Sequence, residues 1–559
     1  MQRARLAVLG ALILLASLAG VPGPSATARA EASDTAAERA KGPNIVVVMA
    51  DDMRVDDIAF APRVRRMVAE HGLVFDNSFS PFPLCCPARA SFLTGQYAHN
   101  HRVYWHERPY GYGAFDDSRT LATALQAAGY QTGYIGKYLN RYGLDRSKVS
   151  GRPSHRYVPQ GWTDWRAGFE NPGGIGVHGG MYNYMNTPFN VNGKIDNRYG
   201  GEYNTHVIGD FSVDMARKFA RGRKPFFMYV NYLAPHFGGP WEPDDPGVVR
   251  DARGQRARLL TPARPPSIRG RFDRAVVRAP GMPKRGRAAE ARIGDKPRFY
   301  RRLPEPNRAV RRAMRESSRQ RVESVYVMDQ QIARLVRALK RSGEWANTVF
   351  MFTSDNGFYA GEHRQVSGKL RPHEPSFRVP FVMTGPGMRS GRHVYDPIST
   401  IDVSASILDL ANARPPRPPD GISRVPTMRT RDRGWNSPII YEATHTARKR
   451  KAKGFRDTRS SIGIRTGRYA YFRHRSGGNE LYDLVKDPLQ NRNVYGIKAY
   501  RSVQTELAQV WQEVRNCRTA GCRSLLPESL RVSAVDQRAY TRHYWKRIIK
   551  TYGFRHVPD

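Results

Sequence analysis

Side chains that could hold a metal ion follow two apolar runs of the sequence. Asp51 and Asp52 come directly after one run, and Asp355 and Asn356 come directly after another. Because ligands gather at the carboxyl ends of strands in open α/β sheets, we expect these four side chains to lie close together. Carboxylate and amide oxygens suit Ca²⁺, with Mg²⁺ as the second candidate. Each pair alone also fits an ordinary turn at the end of a strand.

A second chemical feature is the segment Leu84–Gly95, which reads LCCPARASFLTG. It places Cys85, Pro87 and Arg89 at alternate positions. Proline favours the first turn of a helix, so Cys85 is expected at a helix N-terminus. Unpaired backbone N–H groups and the positive end of the helix dipole stabilise an oxyanion at such a position. The segment therefore predicts a reactive site at Cys85.

The Cys-x-Pro-x-Arg pattern, with the Leu-Thr-Gly that follows it, resembles the signature of the sulfatase family. Other segments that resemble the family occur in the expected order: Asp51-Asp52, Gly136–Asn140, Ala234–His236, Ser354–Gly357, Gly368-Lys369 and Arg378–Pro380. The resemblance spans roughly residues 43–387. The stretch Glu480–Leu484 with Asp487-Pro488 resembles the C-terminal subdomain of the family.

The resemblance implies an α/β fold like that of alkaline phosphatase. We expect a large mixed sheet flanked by helices, plus a smaller C-terminal α+β subdomain. It also implies a sulfuric ester hydrolase that acts with a divalent cation, Ca²⁺ or Mg²⁺. In this family the cysteine corresponding to Cys85 is converted by a formylglycine-generating enzyme to formylglycine (3-oxoalanine), whose hydrate is the nucleophile.

The resemblance also implies a role for each site residue. Arg89 would hold the formylglycine hydrate and the cation site in register, and Lys137 and Lys369 would clamp the sulfate. His236 would protonate the leaving oxygen. The expected cation ligands are Asp51, Asp52, Cys85, Asp355 and Asn356. Plainer interpretations remain open, with the lysines as exposed surface charges, His236 as structural and Cys85 as a buried thiol.

One departure from the family pattern concerns the proton donors. Many sulfatases have a histidine two residues after the lysine matched by Lys137, where this chain has Leu139. The sequence Gly-Lys-Tyr-Leu-Asn at 136–140 instead resembles the branch that acts on N-acetylglucosamine-6-sulfate. We expect a sulfated sugar of this kind as substrate, with aryl sulfates as artificial substrates. Asn140 could supply a hydrogen bond in place of the histidine.

Two other functions fit the same residues. The first is a phosphonate monoester or phosphodiester hydrolase of the same superfamily, which can share the formylglycine and the metal site. The second is a non-catalytic polyanion-binding protein that keeps the fold. Comparing sulfate with phosphate release from matched aryl esters separates the two enzymes, and complete inactivity with normal heparin binding would favour the binding protein.

The remaining cysteines and the nearby histidines have structural interpretations. Cys86 is expected to be a small buried apolar residue. Cys517 and Cys522 could close a small disulfide loop in an exported protein. Four histidines could line the pocket but are expected to be structural or exposed: His99, His101, His363 and His373.

The elements that must position these residues follow from the apolar patterns. A β-branched run at 44–50 predicts a buried parallel strand. Strands are also predicted at 131–139, 225–233, 348–354, 377–384, 461–473 and 479–484. Helices are predicted at 63–71, 87–97, 118–128, 317–342, 403–411 and 500–516. Strands that alternate with helices indicate a large α/β domain, which we place at 43–425, followed by a C-terminal subdomain at 426–559.

The N-terminus resembles an export signal. Arg3 and Arg5 precede a nearly continuous apolar stretch, and Ala28-Arg29-Ala30 fits a cleavage site. We therefore predict a signal peptide at 1–30, a linker at 31–42 and a secreted protein without stable membrane insertion. The alternative is an uncleaved anchor, although the apolar stretch is short for a membrane span.

The composition is that of a folded, strongly basic protein. The chain has 559 residues, with 91 Lys and Arg against 49 Asp and Glu, which gives a net charge of +42. A field of this sign attracts polyanions without selecting one, and no specific nucleic acid partner is predicted. Many arginines fall in a stretch without periodicity at about 250–304, which we interpret as an insertion. It could bind a polyanionic substrate or be a solvated loop without a role.

Overall fold

The computed structural model describes residues 42–284, 290–444 and 457–553. These residues belong to one compact unit that begins at Gly42. The predicted signal peptide and all but the last residue of the predicted linker lie outside the described residues. Within the described ranges, no helix is long and apolar enough to cross a membrane.

A mixed sheet of ten strands forms the centre of the molecule. Its strands are β1 (Asn44–Ala50), β2 (Leu73–Phe79), β3 (Gln131–Lys137), β4 (Asp164–Gly168), β5 (Phe189–Val191), β6 (Lys194–Asp196), β7 (Phe226–Asn231), β10 (Thr348–Ser354), β11 (Phe381–Thr384) and β12 (Arg392–Ser399). They lie in the order β12-β2-β11-β10-β1-β7-β3-β4-β5-β6. A separate two-stranded hairpin consists of β8 (Val249–Arg250) and β9 (Arg256–Ala257).

The central strands are parallel and end together. β1 pairs in parallel with β10 on one side and with β7 on the other, and β7 pairs in parallel with β3 and β3 with β4. Ala50 is the register partner of Ser354, and Gly136 is the partner of Asn231. The residues that follow these strands therefore meet at one edge of the sheet.

Helices cover both faces of this sheet. The longer helices are α1 (Cys85–Thr94), α2 (Leu121–Ala127), α3 (Asn204–Ala220), α4 (Arg308–Arg341), α5 (Thr400–Leu410), α6 (Arg501–Val514) and α7 (Ala534–Tyr552). Shorter helices are Pro62–Val64, Ala98–His101, Arg298–Arg301, Glu374–Phe377 and Val425–Arg429. Alternate residues of β1 enter opposite cores, Val47 with α1, α2 and α5, and Val48 with α3 and α4. The arrangement confirms the predicted large mixed sheet flanked by helices.

The C-terminal part has its own antiparallel sheet. It contains β13 (Ile439–Ala443), β14 (Ser461–Arg465), β15 (Tyr469–His474) and β16 (Glu480–Asp483) in this order. Leu507 and Val510 of α6 pack in the same core as this sheet. The predicted strand at 461–473 is thus two strands joined by a tight turn.

Several elements differ from the predicted ones. α1 begins at Cys85, two residues before Pro87, so Cys85 occupies the first turn itself. α4 begins at Arg308, well before the predicted start at 317, because Val310, Ala313 and Met314 already form a buried stripe among the arginines. α3 and α7 were not predicted.

Candidate active site

The carboxyl edge of the central strands carries the predicted site. Asp51 and Asp52 follow β1, Asp355 and Asn356 follow β10, and Lys137 is the last residue of β3. All five side chains are buried. The structure therefore brings together residues that are up to 305 positions apart in the sequence.

Cys85 lies at the N-terminus of α1, against these strand ends. It is a free thiol, 2% exposed, and its Sγ donates a hydrogen bond to Oδ1 of Asn140 at 3.2 Å. Burial raises the pKa of the thiol. Ligand atoms of Cys85, Asp51 and Asp355 all lie within 4.8 Å of one another. The predicted nucleophile position is thus adjacent to the predicted cation ligands.

Arg89, one helical turn after Cys85, links the strand ends. Its Nε donates to Oδ2 of Asp355 at 2.9 Å, and its Nη2 lies 3.3 Å from Oδ2 of Asp51. Its Nη1 donates to Oδ1 of Asn231, the last residue of β7, at 2.8 Å. The guanidinium thus holds side chains from three adjacent strands in fixed positions.

The two carboxylates that Arg89 joins have different pKa values. Burial and the negative charge of Asp51 raise the pKa of Asp355 to about 6. Burial alone would also raise the pKa of Asp51, but the charges of Lys137, His236 and Arg89 lower it below its usual value. Asp51 is therefore ionised at neutral pH.

Two lysines neutralise the carboxylates. Lys137 forms an ion pair with Oδ2 of Asp51, and Lys369 forms one with Oδ1 of Asp52. The ammonium of Lys137 also lies 4.8 Å from the ring centroid of Tyr182. Burial alone would lower the pKa of both lysines, but the neighbouring carboxylates raise it. Both lysines are therefore charged at neutral pH.

His236 turns one nitrogen towards the site. Its Nδ1 lies 2.8 Å from the carbonyl oxygen of Phe237, which can only accept, so Nδ1 carries a hydrogen. Its Nε2 lies 3.7 Å from Oδ2 of Asp52. Burial and the charge of Lys137 lower the pKa of His236 to about 4. Nε2 is the ring nitrogen available to a substrate.

The oxygen atoms at the strand ends fit a hard divalent cation. Oδ1 of Asp51 is buried and accepts no hydrogen bond from the described residues. Oδ1 of Asp355 accepts from the backbone N–H groups of Asp52 and Asn356, at 3.1 and 2.8 Å, which fixes its orientation. Three carboxylates and one amide are the donor set that Ca²⁺ and Mg²⁺ bind.

A cavity of about 670 Å³ opens above this cluster. Asp52, Cys85, His236 and Lys369 contribute to its lining. Further lining residues that sequence reasoning did not assign are His106, Glu107, Arg141, Glu170, Tyr182, Arg258 and Arg371. They come from irregular segments without a motif, so no signal in one sequence could have found them.

The position of the missing histidine has a clear explanation in the structure. Leu139 is buried in the hydrophobic core, whereas the next residue, Asn140, lines the cavity. Asn140 accepts from Cys85 and donates its Nδ2 hydrogen bond to the hydroxyl of Tyr182. Asn140 and Tyr182 thus take the polar positions next to Cys85.

The other sequence candidates lie outside the cavity. His99 pairs with Glu442, His101 with Ser91, His363 with Glu290 and His373 with Glu480. Their structural interpretation agrees with these contacts. Cys86 is a buried free thiol in the core, and Cys517 and Cys522 form a disulfide, a pairing that the sequence had left open.

Two known proteins are similar in sequence to this chain over most of its length. The extracellular sulfatase SULF-1 homolog of Drosophila melanogaster is 29% identical over 455 residues, which are 79% of this chain and 36% of that protein. The N-acetylglucosamine-6-sulfatase of Capra hircus is 28% identical, over 73% of this chain and 67% of that protein. The chain thus spans only about a third of the length of the Drosophila relative.

A solved structure shares the fold. A protein in complex with its substrate D-glucosamine-2-N,6-O-disulfate superposes with a TM-score of 0.63 at 22% sequence identity. The match covers 85% of this chain and 98% of that chain. Family models match as well. The model described as N-sulphoglucosamine sulphohydrolase, C-terminal, matches residues 361–517, and the model described as sulfatase matches residues 43–413, more than half of the chain. The chain belongs to the sulfatase family.

Proposed function

We propose that this protein is a secreted sulfuric ester hydrolase that removes sulfate from a sulfated sugar, with Cys85 as the precursor of its nucleophile. One observation carries the proposal. Cys85 lies at the floor of the cavity, on the first turn of α1, with its Sγ beside the carboxylates that Arg89 holds at the strand ends. A cysteine with only a structural role does not require this buried network of opposite charges.

Two groups that the family requires have a place in this arrangement. Formylglycine at position 85 would supply a hydrated aldehyde, an oxygen nucleophile that the thiol itself cannot provide. A divalent cation, held by Asp51, Asp52, Asp355 and Asn356 together with residue 85, would polarise a sulfate oxygen. Two observations support this assignment. Oδ1 of Asp51 has no hydrogen-bond partner among the described residues, and ligand atoms of Asp51, Asp355 and Cys85 lie within 4.8 Å of one another.

The side chains of this chain then have distinct tasks. Arg89 fixes Asp51 and Asp355, so the nucleophile position and the cation ligands keep one geometry. Lys137 and Lys369 are buried, charged and adjacent to the cavity floor. When the carboxylates bind a cation, these two lysines offset the charge of the sulfate oxygens.

The leaving oxygen needs a proton. His236 presents Nε2 to the cavity and is the proposed proton donor, a role for which the ring must take up a second proton, on Nε2, when the anionic substrate binds. Asn140 orients residue 85 through the hydrogen bond that now involves Sγ. In-line attack on sulfur places the nucleophile and the leaving oxygen on opposite sides of the sulfur atom.

The substrate class rests on the size of the cavity and on the relatives. A cavity of about 670 Å³ accommodates a sugar ring with its sulfate. The goat relative is named for N-acetylglucosamine-6-sulfate, and the Drosophila relative is named as extracellular. We infer that a glucosamine-6-sulfate unit outside the cell is the substrate of this chain. Aryl sulfates serve as artificial substrates.

The test compares two adjacent thiols. Cys85→Ala is expected to reduce release of sulfate from 4-methylumbelliferyl sulfate by at least about 10³-fold, since a covalent nucleophile is lost. Cys86→Ala is the matched control, because Cys86 is equally buried but lies in the core and not in the cavity lining. Both variants should keep the wild-type circular dichroism spectrum. Equal activity of Cys85→Ala and wild type would refute the nucleophile assignment.

The state of residue 85 is measured by mass spectrometry of the tryptic peptide 67–89 from protein secreted by its natural host. We expect the mass of an aldehyde or its hydrate. An unmodified thiol would remove the nucleophile and leave the polyanion-binding alternative. Faster release of the phenol from a matched aryl phosphonate or phosphodiester than from the aryl sulfate would favour the phosphonate hydrolase.

A further inference from the structure

The mouth of the cavity carries a cluster of exposed apolar side chains that the proposed reaction does not use. Phe237 is 39% exposed, Trp241 is 52% exposed and Leu260 is 42% exposed. Phe237 and Leu260 line the cavity, and Phe237 is the neighbour of His236 in the chain. Exposed apolar surface beside a cavity marks a binding surface for a ligand.

An arginine lies flat against this cluster. The guanidinium carbon of Arg258 is 3.5 Å from the ring centroid of Trp241, and Arg258 also lines the cavity. Guanidinium groups stack on indole rings through cation–π attraction, which leaves their N–H groups directed outwards in the plane. Trp241 and Arg258 therefore form one rigid unit with an apolar face and a cationic edge.

Arg258 differs from the other arginines of the cavity. Arg141 pairs with Asp145 at 2.9 Å, and Arg371 donates to the carbonyl of Phe299 at 2.9 Å. Among the described residues, Arg258 has neither a carboxylate partner nor a hydrogen-bond acceptor. Its charge at the cavity mouth is therefore available to an anionic ligand.

The acidic residues that follow Trp241 do not oppose this charge. Glu242 and Asp244 are both ion-paired with Arg264, and Arg269 pairs with Glu242 at 2.6 Å. Arg264 is fully buried and also pairs with Glu323 at 2.8 Å. These carboxylates are neutralised within the protein and do not compensate the charge of Arg258, and the acidic residues that line the cavity are Asp52, Glu107 and Glu170.

The backbone holds this unit in place. Gly238 pairs with Pro262 in a parallel bridge, which sets the segment of Arg258 alongside the segment of Trp241. Leu259, between two exposed residues, is buried against Val310 and Met314 of α4. The alternation of one buried and two exposed residues directs Arg258 and Leu260 away from α4, on the side of the cavity.

We propose that Trp241 and Arg258 form a second sugar subsite. Trp241 stacks on the ring next to the sugar that carries the scissile sulfate, and Arg258 binds an anionic group, carboxylate or sulfate, on that ring. This inference rests on the proposed function and extends it: the substrate is an anionic saccharide of at least two sugars. Aromatic rings stack on the apolar faces of sugars, and arginine binds carboxylate or sulfate oxygens in pairs.

The hairpin β8–β9 continues the cationic surface away from the subsite. Arg253 and Arg256 are exposed on it, and Arg308 is exposed at the start of α4. The side chain of Asn307 donates to the carbonyl of Arg250 at 2.9 Å and joins the hairpin to α4. If the substrate is a longer saccharide, its further anionic sugars would bind to this cationic surface.

The test measures kcat and KM of wild type with two substrates. The first is the monosaccharide N-acetylglucosamine-6-sulfate, and the second is a disaccharide in which this sugar is linked to a hexuronic acid. We expect Arg258→Ala to raise KM for the disaccharide about tenfold, the value of one charge-assisted hydrogen bond, with kcat and the monosaccharide KM unchanged. Trp241→Ala should have the same selective effect, and Trp241→Phe should restore most of the affinity.

Two controls separate a subsite from a general effect of charge or stacking. Arg274→Ala removes an equally exposed arginine of the same insertion that lines a different cavity, and we expect no change in KM. A disaccharide with a neutral second sugar should lose the effect of Arg258→Ala and keep the effect of Trp241→Ala. A sulfated second sugar in place of the uronic acid identifies the preferred anion.

Failure of the subsite and failure of the proposed function give different results. If wild type cleaves the monosaccharide but Arg258→Ala leaves the disaccharide KM unchanged, the subsite is refuted. The same holds if Arg274→Ala matches Arg258→Ala. If wild type cleaves neither sugar, calorimetry of disaccharide binding decides, and an equal Kd for wild type and Arg258→Ala refutes the subsite independently of catalysis.

Discussion

Arg89 contacts carboxylates that follow two different strands and an amide at the end of a third, and its side chain is buried. Its branched, planar guanidinium can reach all three at once, whereas a lysine ammonium can reach only one or two of them. The identity of this residue therefore matters more than its charge.

Arg89→Lys tests this point. We expect the free energy of unfolding to fall by about 3 kcal/mol, since a buried charge loses its partner. Sulfate release should be lost as well. Urea unfolding measures this free energy, with Arg334→Lys as the control. Arg334 pairs with Asp210 at an exposed site, so we expect the control to lose only about 0.5 kcal/mol of unfolding free energy. Unchanged stability of Arg89→Lys would contradict the bridging role.

His101 contributes to stability in a pH-dependent way. Its Nδ1 accepts the backbone N–H of Val103 at 3.1 Å, so the ring is neutral and Nε2 donates to the hydroxyl of Ser91 at 2.9 Å. Burial lowers the pKa of His101 from 6.5 to about 3. The unfolded chain therefore takes up a proton at a higher pH than the folded chain does.

The direction of the pH dependence follows from this difference between the folded and unfolded pKa values of His101. The contribution of His101 is complete above pH 6.5 and is lost as the pH falls towards 3. His101→Asn keeps an acceptor for Val103 and removes the titration. Urea unfolding at a series of pH values should show a shallower loss of stability in this variant between these limits. Parallel curves for wild type and variant would contradict the assignment.

The residues of the site were predictable to different degrees. Asp51, Cys85 and Lys369 belong to short motifs whose spacing carries information in one sequence. Asn140 was expected to supply a hydrogen bond, but the sequence did not identify its partner Cys85, 55 positions away, and Trp241 was found only through its stacking with Arg258. Such pairs depend on how loops fold over the sheet, which no local pattern encodes.

Elements with a strong apolar pattern were predicted well. β1 and β10 are nearly continuous apolar runs because both of their faces are buried. α7 was missed because its buried residues, such as Tyr544 and Trp545, stand among many charged ones. The stretch at 250–304, whose interpretation as an insertion stays a prediction, is not merely a solvated loop, since Leu259 and Met282 share a core with α4. Deleting it would expose that core.

Asn307 at the start of α4 has two separable functions. Its Oδ1 accepts the backbone N–H of Val310 at 3.0 Å, which caps the helix, and its Nδ2 binds the hairpin. Asn307→Ala should lower the free energy of unfolding by about 1 kcal/mol through loss of the cap. Asn307→Asp keeps the cap and should remain within about 0.5 kcal/mol of wild type.

Hydrogen exchange of the 249–257 amides reports the second function. Both variants should exchange faster there than wild type, because both lose the Nδ2 bond to Arg250. Equal stability of the two variants would contradict the capping role, and unchanged exchange would contradict the attachment of the hairpin.

At the scale of the whole molecule, buried ion pairs cross the predicted boundary between 425 and 426. His99 pairs with Glu442 at 2.6 Å, and Glu374 pairs with Arg465 at 2.9 Å. The boundary itself remains a prediction from the sequence. Whatever its position, the two parts share charged contacts that are lost if either part unfolds, so we expect a single cooperative transition.

Glu442→Gln tests this coupling. The charges of His99 and Arg459 hold the pKa of Glu442 at about 2, below its usual 4.5, although burial alone would raise it. Its stabilisation is therefore complete above pH 4.5 and is lost as the pH falls towards 2. At neutral pH we expect the variant to lose about 3 kcal/mol, because the buried side chains of His99 and Arg459 lose the carboxylate that they share and Arg459 keeps only Asp457 among the described carboxylates.

Calorimetry is the measurement, with Glu513→Gln as the control, since Glu513 is exposed on α6. Glu442→Gln should lower Tm while one transition remains. Two separate transitions in wild type would show that the ion pairs do not couple the parts. A Tm shift of the same size for Glu513→Gln would show that the effect is one of net charge.

The burial of Cys85 also sets an order of events in time. Its thiol is 2% exposed at the bottom of a cavity, with α1 packed against α5 and the sheet. A second enzyme cannot close its own active site around a side chain in that position. Enzymatic conversion of Cys85 to formylglycine would therefore have to precede the packing of α1, while the chain is still being made or exported. The last strand that positions the site, β10, is synthesised more than 250 residues later. During that delay the unfinished chain would expose Cys85 to the maturation enzyme that we propose.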